Sequence, residues 1–483
     1  MLHAPAWHWS GRPLAIGLAL LLLAVLIVFL PAGTALAVIG GGLATLALLR
    51  WPGLALYLLV FAIPFGSLVP LPLAGANVTA ADGLLLVAFG LWLARQVAQR
   101  AIILKPASLV IPFLLFFLAI GLSTTVALSL QAAVKELTKW GEMLLAYWLM
   151  VQDIPEDGRA ENRVKVLLAV IFLSGVAEAL VGVNQYFLRI GPEGFVLNGT
   201  PRAFGTFDQP NPFAGYLGLI IPLSFGVFLG SMTLGRKLLS PGNLALAGLA
   251  VLAFGVMLAS LLFSLSRGAW VGVAAALGLV WALRSKRAAL FGLGLAVLVA
   301  MTALLGQLNV IPDVVTSRFA GVSDYFGLQD VRGVKVTDAN FAIVERMAHW
   351  QAGLDMFQDH PWLGVGIGNY AAVYPAYSLP HWDDPLGHAH NYYINILAES
   401  GIVGMAGYIL LWTAVFWLAW RTVRATHGLW QGIAAGAFGV LVALSVHNLF
   451  DNLFVHSMQM QVGLTLGMIE SIKRKPRDVE SAT

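Results

Sequence analysis

Residues 387–421 read GHAHNYYINILAESGIVGMAGYILLWTAVFWLAWR. From Gly401 onward no charged residue intervenes until Arg421. A run of about 20 apolar residues, rising about 1.5 Å each in a helix, crosses a bilayer core. Before Gly401 the same stretch carries His388, His390, Asn391 and Glu399. A polar, titratable segment therefore leads straight into a membrane helix.

Working outward, similar runs recur at 14–30, 33–49, 53–71, 84–99, 107–128, 136–151, 164–188, 212–230, 244–263, 267–283, 288–306, 431–446 and 453–470. They are long and do not alternate, so they read as helices rather than barrel strands. Composition agrees: 59% of residues are apolar and 11% charged, against roughly 25% charged in soluble proteins. The expected fold is an all-α integral membrane protein of about 12–14 transmembrane helices with one long helical extracytoplasmic loop. Leu14 to Leu30 is too long for the apolar part of a signal peptide and reads as a first anchor. There is no Cys, which excludes disulfides and thiol chemistry. The formal charge of +4 is explained by basic loops and implies no nucleic-acid partner.

Charge sets the expected orientation. With the N-terminus inside, the inside connections carry Arg50; Arg95, Arg100 and Lys105; Arg159, Arg163 and Lys165; Arg236 and Lys237; Arg284, Lys286 and Arg287; Arg421 and Arg424; and a tail with Lys473, Arg474, Lys475 and Arg477. This is the bias of cytoplasmic loops. Both termini are expected in the cytoplasm and residues 307–400 outside. The chain divides into N-terminal helices (1–163), central helices (164–306), the extracytoplasmic loop (307–400), C-terminal helices (401–472) and a basic tail (473–483).

Arg202, Arg267 and Arg346 break the bias and fall outside. Arg267 lies in Ser264-Leu265-Ser266-Arg267-Gly268 between two apolar runs, where an unpaired charge is costly and suggests function. Lys135, Lys139 and Arg189 lie near span ends, where snorkelling accounts for them. Guanidinium groups match phosphate oxygens and stay charged. An imidazole such as His390 can take a proton from a hydroxyl. Glu399 could orient it or serve the acceptor, and Asp451 could pair with an arginine. His381, Asp383, Asp384, His388 and His390 contain metal-ligating types but no recognised spacing. Within the loop, Asn340 to Gln358 has helical periodicity and is ended by Pro361. Gly364, Gly366 and Gly368 predict a tight turn or close backbone approach. Tyr370, Tyr374, Tyr377, Trp382, Tyr392 and Tyr393 form an aromatic run, read either as an interfacial belt or as a platform for sugar rings.

These residues together resemble the bacterial O-antigen ligase and O-antigen polymerase superfamily. Its pattern of His, then Asn, Ser or Gln, nine residues, Gly, two residues and Gly is met by His390-Asn391, Gly401 and Gly404. Arg202-Ala-Phe-Gly-Thr-Phe with Pro210-Asn211-Pro212, Ser266-Arg267-Gly268 and Arg346 to Gly366 are similar to the family's arginine loops and long outer loop. The resemblance covers roughly residues 170–460. It implies a bundle of the lipid-linked glycosyltransferase C type. The implied activity is transfer of a glycan from undecaprenyl diphosphate to an acceptor hydroxyl, with inversion and with no metal or other cofactor. The implied catalytic residues are His390, Arg267 and Arg346; Arg202, Asn391, His388, Glu399, Asp451 and Asn211 would bind substrate. The partners would be the lipid-linked glycan, an acceptor glycolipid, glycan or protein hydroxyl, and the bilayer of the bacterial cytoplasmic membrane. A polymerase or a protein O-oligosaccharyltransferase of the same superfamily would use the same residues. A transporter would instead need charged or broken helices at mid-membrane, where apart from Glu142 and Glu178 the spans are apolar.

Overall fold

A computed structural model describes residues 32–51, 53–68, 71–73, 76–154, 160–197, 199–285, 287, 290, 330–337 and 340–473. In chain order the helices are α1 (Ala32–Arg50), α2 (Leu54–Phe65), α3 (Ala80–Ala98), α4 (Val110–Ser123), α5 (Leu130–Asp153), α6 (Ala160–Leu188), α7 (Pro210–Gly218) and α8 (Ile221–Ser231). They continue with α9 (Pro241–Phe263), α10 (Arg267–Ala282), α11 (Phe341–Asp359), the short α12 (Tyr370–Val373), α13 (Tyr392–Ala425), α14 (Gly428–His447) and α15 (Met458–Lys473). Two small antiparallel hairpins complete the described structure: β1 (Leu71–Leu73) pairs with β2 (Ala76–Val78), and β3 (Val196–Leu197) with β4 (Thr200–Pro201). The protein is all-α in class.

Among the described residues, six helical segments are long and apolar enough to cross a membrane: Ala80–Ala98, Ala160–Leu188, Pro210–Ser231 (α7 with α8), Pro241–Phe263, Tyr392–Ala425 and Gly428–His447. Leu54–Phe65, Val110–Val126 and Arg267–Ala282 are shorter apolar helices. The expected spans at 14–30 and 288–306 and nearly all of the basic tail lie outside the described residues. The run at 212–230 is two helices, α7 and α8, because Pro222 denies a backbone donor at the junction. The run at 53–71 ends as helix at Phe65.

Small residues let the central helices meet at backbone distance. A Cβ on Gly226 would lie 2.3 Å from Gly432 O, and one on Gly432 would lie 2.4 Å from Gly226 O. Gly226 and Gly230 on α8 thus face Gly432 and Gly436 on α14, the small-x-x-x-small pairing that holds helices in lipid through close packing. The next turns of α14 lie against α10, where a Cβ on Gly272 would sit 2.8 Å from Ala443 O. On the other side α15 lies along α5. The largest apolar core draws residues from α2 through α15, including Leu59, Phe113, Trp140, Phe213, Leu441 and Leu464. One end of this bundle is closed by the connections at 189–209, 264–266, 360–391 and 448–457, which build the site.

Candidate active site

The polar segment is fastened to the bundle through the glycines of its Pro361–Asn369 loop. Gly364, Gly366 and Gly368 have φ of +63, +98 and +73, so the expected close approach is present. A Cβ on Gly364 would fall 2.4 Å from Ala398 O, and Val365 N donates to that same oxygen at 2.9 Å. Across the contact, α13 breaks at Gly401 (φ 60, ψ −160). The freed Ile402 N donates to Pro361 O at 2.8 Å. Glu399, 4% exposed, accepts from Tyr370 N at 3.0 Å. Its carboxylate braces the loop against α13.

His390 precedes this helix in a left-handed conformation, φ +51. Asn391 caps α13: its Oδ1 accepts from Tyr393 N (3.0 Å) and Ile394 N (3.1 Å). The Asn391 side chain thus fixes the helix start beside His390. The same helix start is tied to the α14–α15 connection, where Tyr392 N donates to Asn448 O at 2.8 Å. Asn448 Oδ1 in turn accepts from Leu453 N at 3.0 Å. Between those two anchors, Asp451 is held opposite the two histidines.

Asp451 Oδ1 lies 3.7 Å from His388 Nε2 and 3.8 Å from His390 Nδ1. The carboxylate is 8% exposed and the imidazoles 20% and 18%. His390 N donates to His388 Nδ1 at 3.0 Å, so His388 carries its proton on Nε2, toward Asp451. His390 Nδ1 is buried without a hydrogen bond. Burial alone would push the Asp451 carboxyl up, but His390, His388 and His447 around it reverse this and hold it well below the usual range. Asp451 is therefore an anion at neutral pH. Burial, reinforced by His390, Lys139 and Arg346 and opposed by Asp451, brings His388 down to about 4. The expectation that Asp451 pairs with an arginine is corrected: its near neighbours are imidazoles.

The three arginines converge on the same place. Arg202 Nε donates to Ser264 O at 2.9 Å and Nη2 to Asn211 Oδ1 at 3.1 Å. Asn211 Oδ1 thus helps to position Arg202. Burial, then the charges of Arg346 and Arg267, push the Arg202 guanidinium down, and Asp451 opposes them. Those four groups thus share one electrostatic neighbourhood. Arg267 is the exposed first residue of α10. The close packing of Gly268 on Phe450 and His447 brings that helix start beside the histidine–aspartate cluster. Arg346 on α11 gives Nη1 to Ala342 O at 2.9 Å and keeps Nε buried without a partner. Among the described residues it forms no ion pair within 4 Å.

His388, His390 and Asp451 are the group of three among the described residues with ligand atoms close enough for a metal ion, within 4.8 Å of one another. His381, Asp383 and Asp384 do not join it. The charges of Arg202, Arg346 and Lys139 act on these same groups, so the local field favours an anion over a cation. Lys139 is no snorkelling lysine. It forms a 2.6 Å ion pair with Glu136, both largely withdrawn from solvent. Half of the aromatic run is packing: Tyr370 and Tyr374 are 0% exposed and Tyr392 2%, whereas Tyr377, Trp382 and Tyr393 keep partial access. Sequence reasoning passed over His349, one turn beyond Arg346, because a lone histidine in an amphipathic helix has no local signal. It stacks on Tyr374 at 4.7 Å and stands edge to face with His390.

Comparison with curated proteins finds no match to this chain. Residues 252–409, however, match the family model described as O-antigen ligase. That stretch contains Arg267, Arg346, His388 and His390; Arg202, Asn211 and Asp451 reach the site from outside it. Over residues 252–409 the chain is thus similar to the O-antigen ligase family.

Proposed function

We propose that the protein transfers a glycan from undecaprenyl diphosphate to an acceptor hydroxyl at the outer face of the bacterial cytoplasmic membrane. The observation that carries this reading is the convergence of Arg202, Arg267 and Arg346, at a helix start, on a buried histidine–carboxylate pair. The charges of Arg346 and Arg267 both act on Arg202, a field that suits a polyanion. A helix N-terminus adds further positive potential. A diphosphate supplies the anion, and its departure is the step that such fixed charges accelerate.

In this mechanism the acceptor oxygen attacks the anomeric carbon from the face opposite the diphosphate. The new C–O bond forms as the bond to the phosphate oxygen breaks, and the leaving diphosphate keeps the electron pair. The hydroxyl proton passes to His390 Nε2. Nδ1, 3.8 Å from Asp451 Oδ1, then faces an anion that stabilises the imidazolium. Attack from the opposite face inverts the anomeric centre.

The carrier chain also has room. An apolar groove of about 1030 Å³ is lined by Tyr393, Met405, Tyr408, Trp412, Phe416, Trp420 and Phe438. It begins three residues past His390 and follows α13 to Trp420. At about 1.5 Å per residue that is roughly 40 Å of helix, enough for a polyisoprenyl tail to lie along.

The test is transfer in reconstituted membranes with a labelled undecaprenyl-diphosphate glycan, offered lipid A core, a second lipid-linked glycan and a Ser-rich protein in parallel. Transfer that resists EDTA and is lost in His390→Ala and Arg267→Ala is expected. Unimpaired transfer by His390→Ala would refute the mechanism. The acceptor used distinguishes ligase, polymerase and protein transferase.

A further inference from the structure

Two polar side chains of α6 have no part in the mechanism above. Glu178 is 0% exposed and Gln185 8%. An ionisable group inside an otherwise apolar span is costly unless it serves a purpose. Seven residues separate the pair, about two turns of helix, so both project from one face of α6. That face meets the chain that follows Arg202. Gln185 Oε1 accepts from Phe204 N at 3.1 Å and from Gly205 N at 2.7 Å, and Nε2 donates to Gly205 O at 2.8 Å. Glu178 takes the next residue. Its Oε1 accepts from Thr206 N at 2.7 Å, and its Oε2 lies 3.0 Å from Thr206 Oγ1. The backbone N–H groups of Phe204, Gly205 and Thr206 are thus all satisfied by α6 side chains. Gly205 turns between them with φ +58, and a Cβ there would run into Glu178 Oε1.

Arg202 is therefore fastened from two directions. The end of α9 holds it through Ala203 N, which donates to Phe263 O at 3.0 Å, and through its own Nε on Ser264 O. From the other side, α6 holds the three residues of chain at 204–206. The Thr206 hydroxyl shows what Glu178 must supply. It has one hydrogen and two acceptors, Pro64 O at 2.6 Å and Glu178 Oε2 at 3.0 Å. A negative charge on Glu178 is not needed for these contacts. An amide in its place could accept from Thr206 N and donate to Thr206 Oγ1, leaving the hydroxyl hydrogen to Pro64 O.

We propose that Glu178 and Gln185 are positioning residues for the transfer reaction: they hold the chain at 204–206 so that Arg202 stands with Arg267 and Arg346 at the diphosphate. This rests on the glycan-transfer reading and adds to it two side chains that act through Arg202 rather than on substrate. Arg202 already shares an electrostatic neighbourhood with Arg346, Arg267 and Asp451, so a small displacement of its loop moves a charge away from the leaving group. A misplacement of about 1 Å can cost about 100-fold in rate. Glu178 in this role makes hydrogen bonds inside the bundle; it carries no proton or ion across it.

The experiment is a double-mutant cycle on the full-length protein in reconstituted membranes, with the labelled undecaprenyl-diphosphate glycan as donor and the three acceptors named above. Gln185→Leu and Glu178→Leu are each made alone and together with Arg202→Ala, and the thermal midpoint of every variant is recorded. Each leucine variant should lower kcat/KM for the donor by about 10- to 100-fold. Independent effects multiply within about twofold. Here the double variants should instead be no worse than Arg202→Ala alone by more than about twofold, because the arginine they position is gone. Glu178→Gln should recover most of the transfer that Glu178→Leu loses. Gln185→Glu, which keeps an acceptor for Phe204 N and Gly205 N but sets an oxygen against Gly205 O, carries the same cycle if the leucine variants do not fold. Losses that multiply in the Arg202→Ala background, or a Glu178→Gln variant as impaired as Glu178→Leu, overturn the proposal alone. A parent that transfers to nothing, or Arg202→Ala at the parental rate, overturns the glycan-transfer reading as built on these arginines, and this proposal with it.

Discussion

Replacing Asp451 by Asn removes one charge and almost no volume. Asp451 Oδ1 is 3.8 Å from His390 Nδ1, and both side chains are mostly withdrawn from water, 8% and 18% exposed. At about 4 Å and an effective dielectric constant near 20, opposite unit charges attract by about 4 kcal/mol. That attraction exists only once His390 holds the hydroxyl proton, so it lowers the barrier without tightening the ground state. Relaxation and residual water reduce it to about 2–4 kcal/mol, a drop in kcat of roughly 30- to 1000-fold. KM for the lipid-linked donor should move the other way or not at all. Asp451 partly offsets the charge of Arg202, so its loss makes the diphosphate site more positive. The assay is steady-state transfer in reconstituted membranes with donor and acceptor varied independently, together with the thermal midpoint of each protein. A kcat within threefold of the parent, at unchanged stability, would refute the electrostatic role. A parallel rise in donor KM would show instead that Asp451 orders the arginines.

Three further perturbations test other parts of the construction. Arg346→Lys keeps the charge but loses the planar fork, and should raise donor KM about tenfold or more with a smaller change in kcat. Gly401→Ala forces a side chain into a conformation nearly restricted to glycine, with its Cβ 2.4 Å from Trp362 C and O. It should cost at least about 1–3 kcal/mol, read as a lower thermal midpoint and a loss of transfer as the 361–369 loop leaves α13. His349 and His388 are both brought from 6.5 down to about 4 on folding. Between those values the unfolded chain binds more protons, so stability falls as pH drops from about 6.5 toward 4 and is flat above 7. A thermal midpoint that does not change across that window would contradict the neutral, buried state of both rings.

The membrane class, the helix over 340–358, the close approach at Gly364, Gly366 and Gly368, and the arginines at Arg202, Arg267 and Arg346 were all legible in the chain. Each rests on local evidence: apolar run length, periodicity, backbone permissiveness, or a charge on the unexpected side. Residue roles were less legible. Glu399, Asn391 and Asn211 stand in the right motifs, yet their side chains serve the backbone, a helix cap and an arginine. A polar residue near a site looks alike in sequence whether it faces substrate or holds something that does. The burial of Tyr370, Tyr374 and Tyr392 was not legible for the same reason, since a tyrosine that packs and one that stacks a sugar look alike in sequence. The break between α7 and α8 inside the span at 212–230 was not read from the chain.

What the sequence determined by itself was the solvent this chain folds in and the chemistry of its polar segment, because both depend on residues near one another along the chain. The tertiary structure alone decided that Asp451, some sixty residues after His390, lies against its imidazole, and that His349 stands beside it. It also decided that Arg202 and Arg346, from separate parts of the chain, act on one another. Those meetings are set by glycine-packed helices such as α8, α10 and α14. Their angle and depth follow from side chains interlocking across the bundle, which no local pattern in the chain encodes.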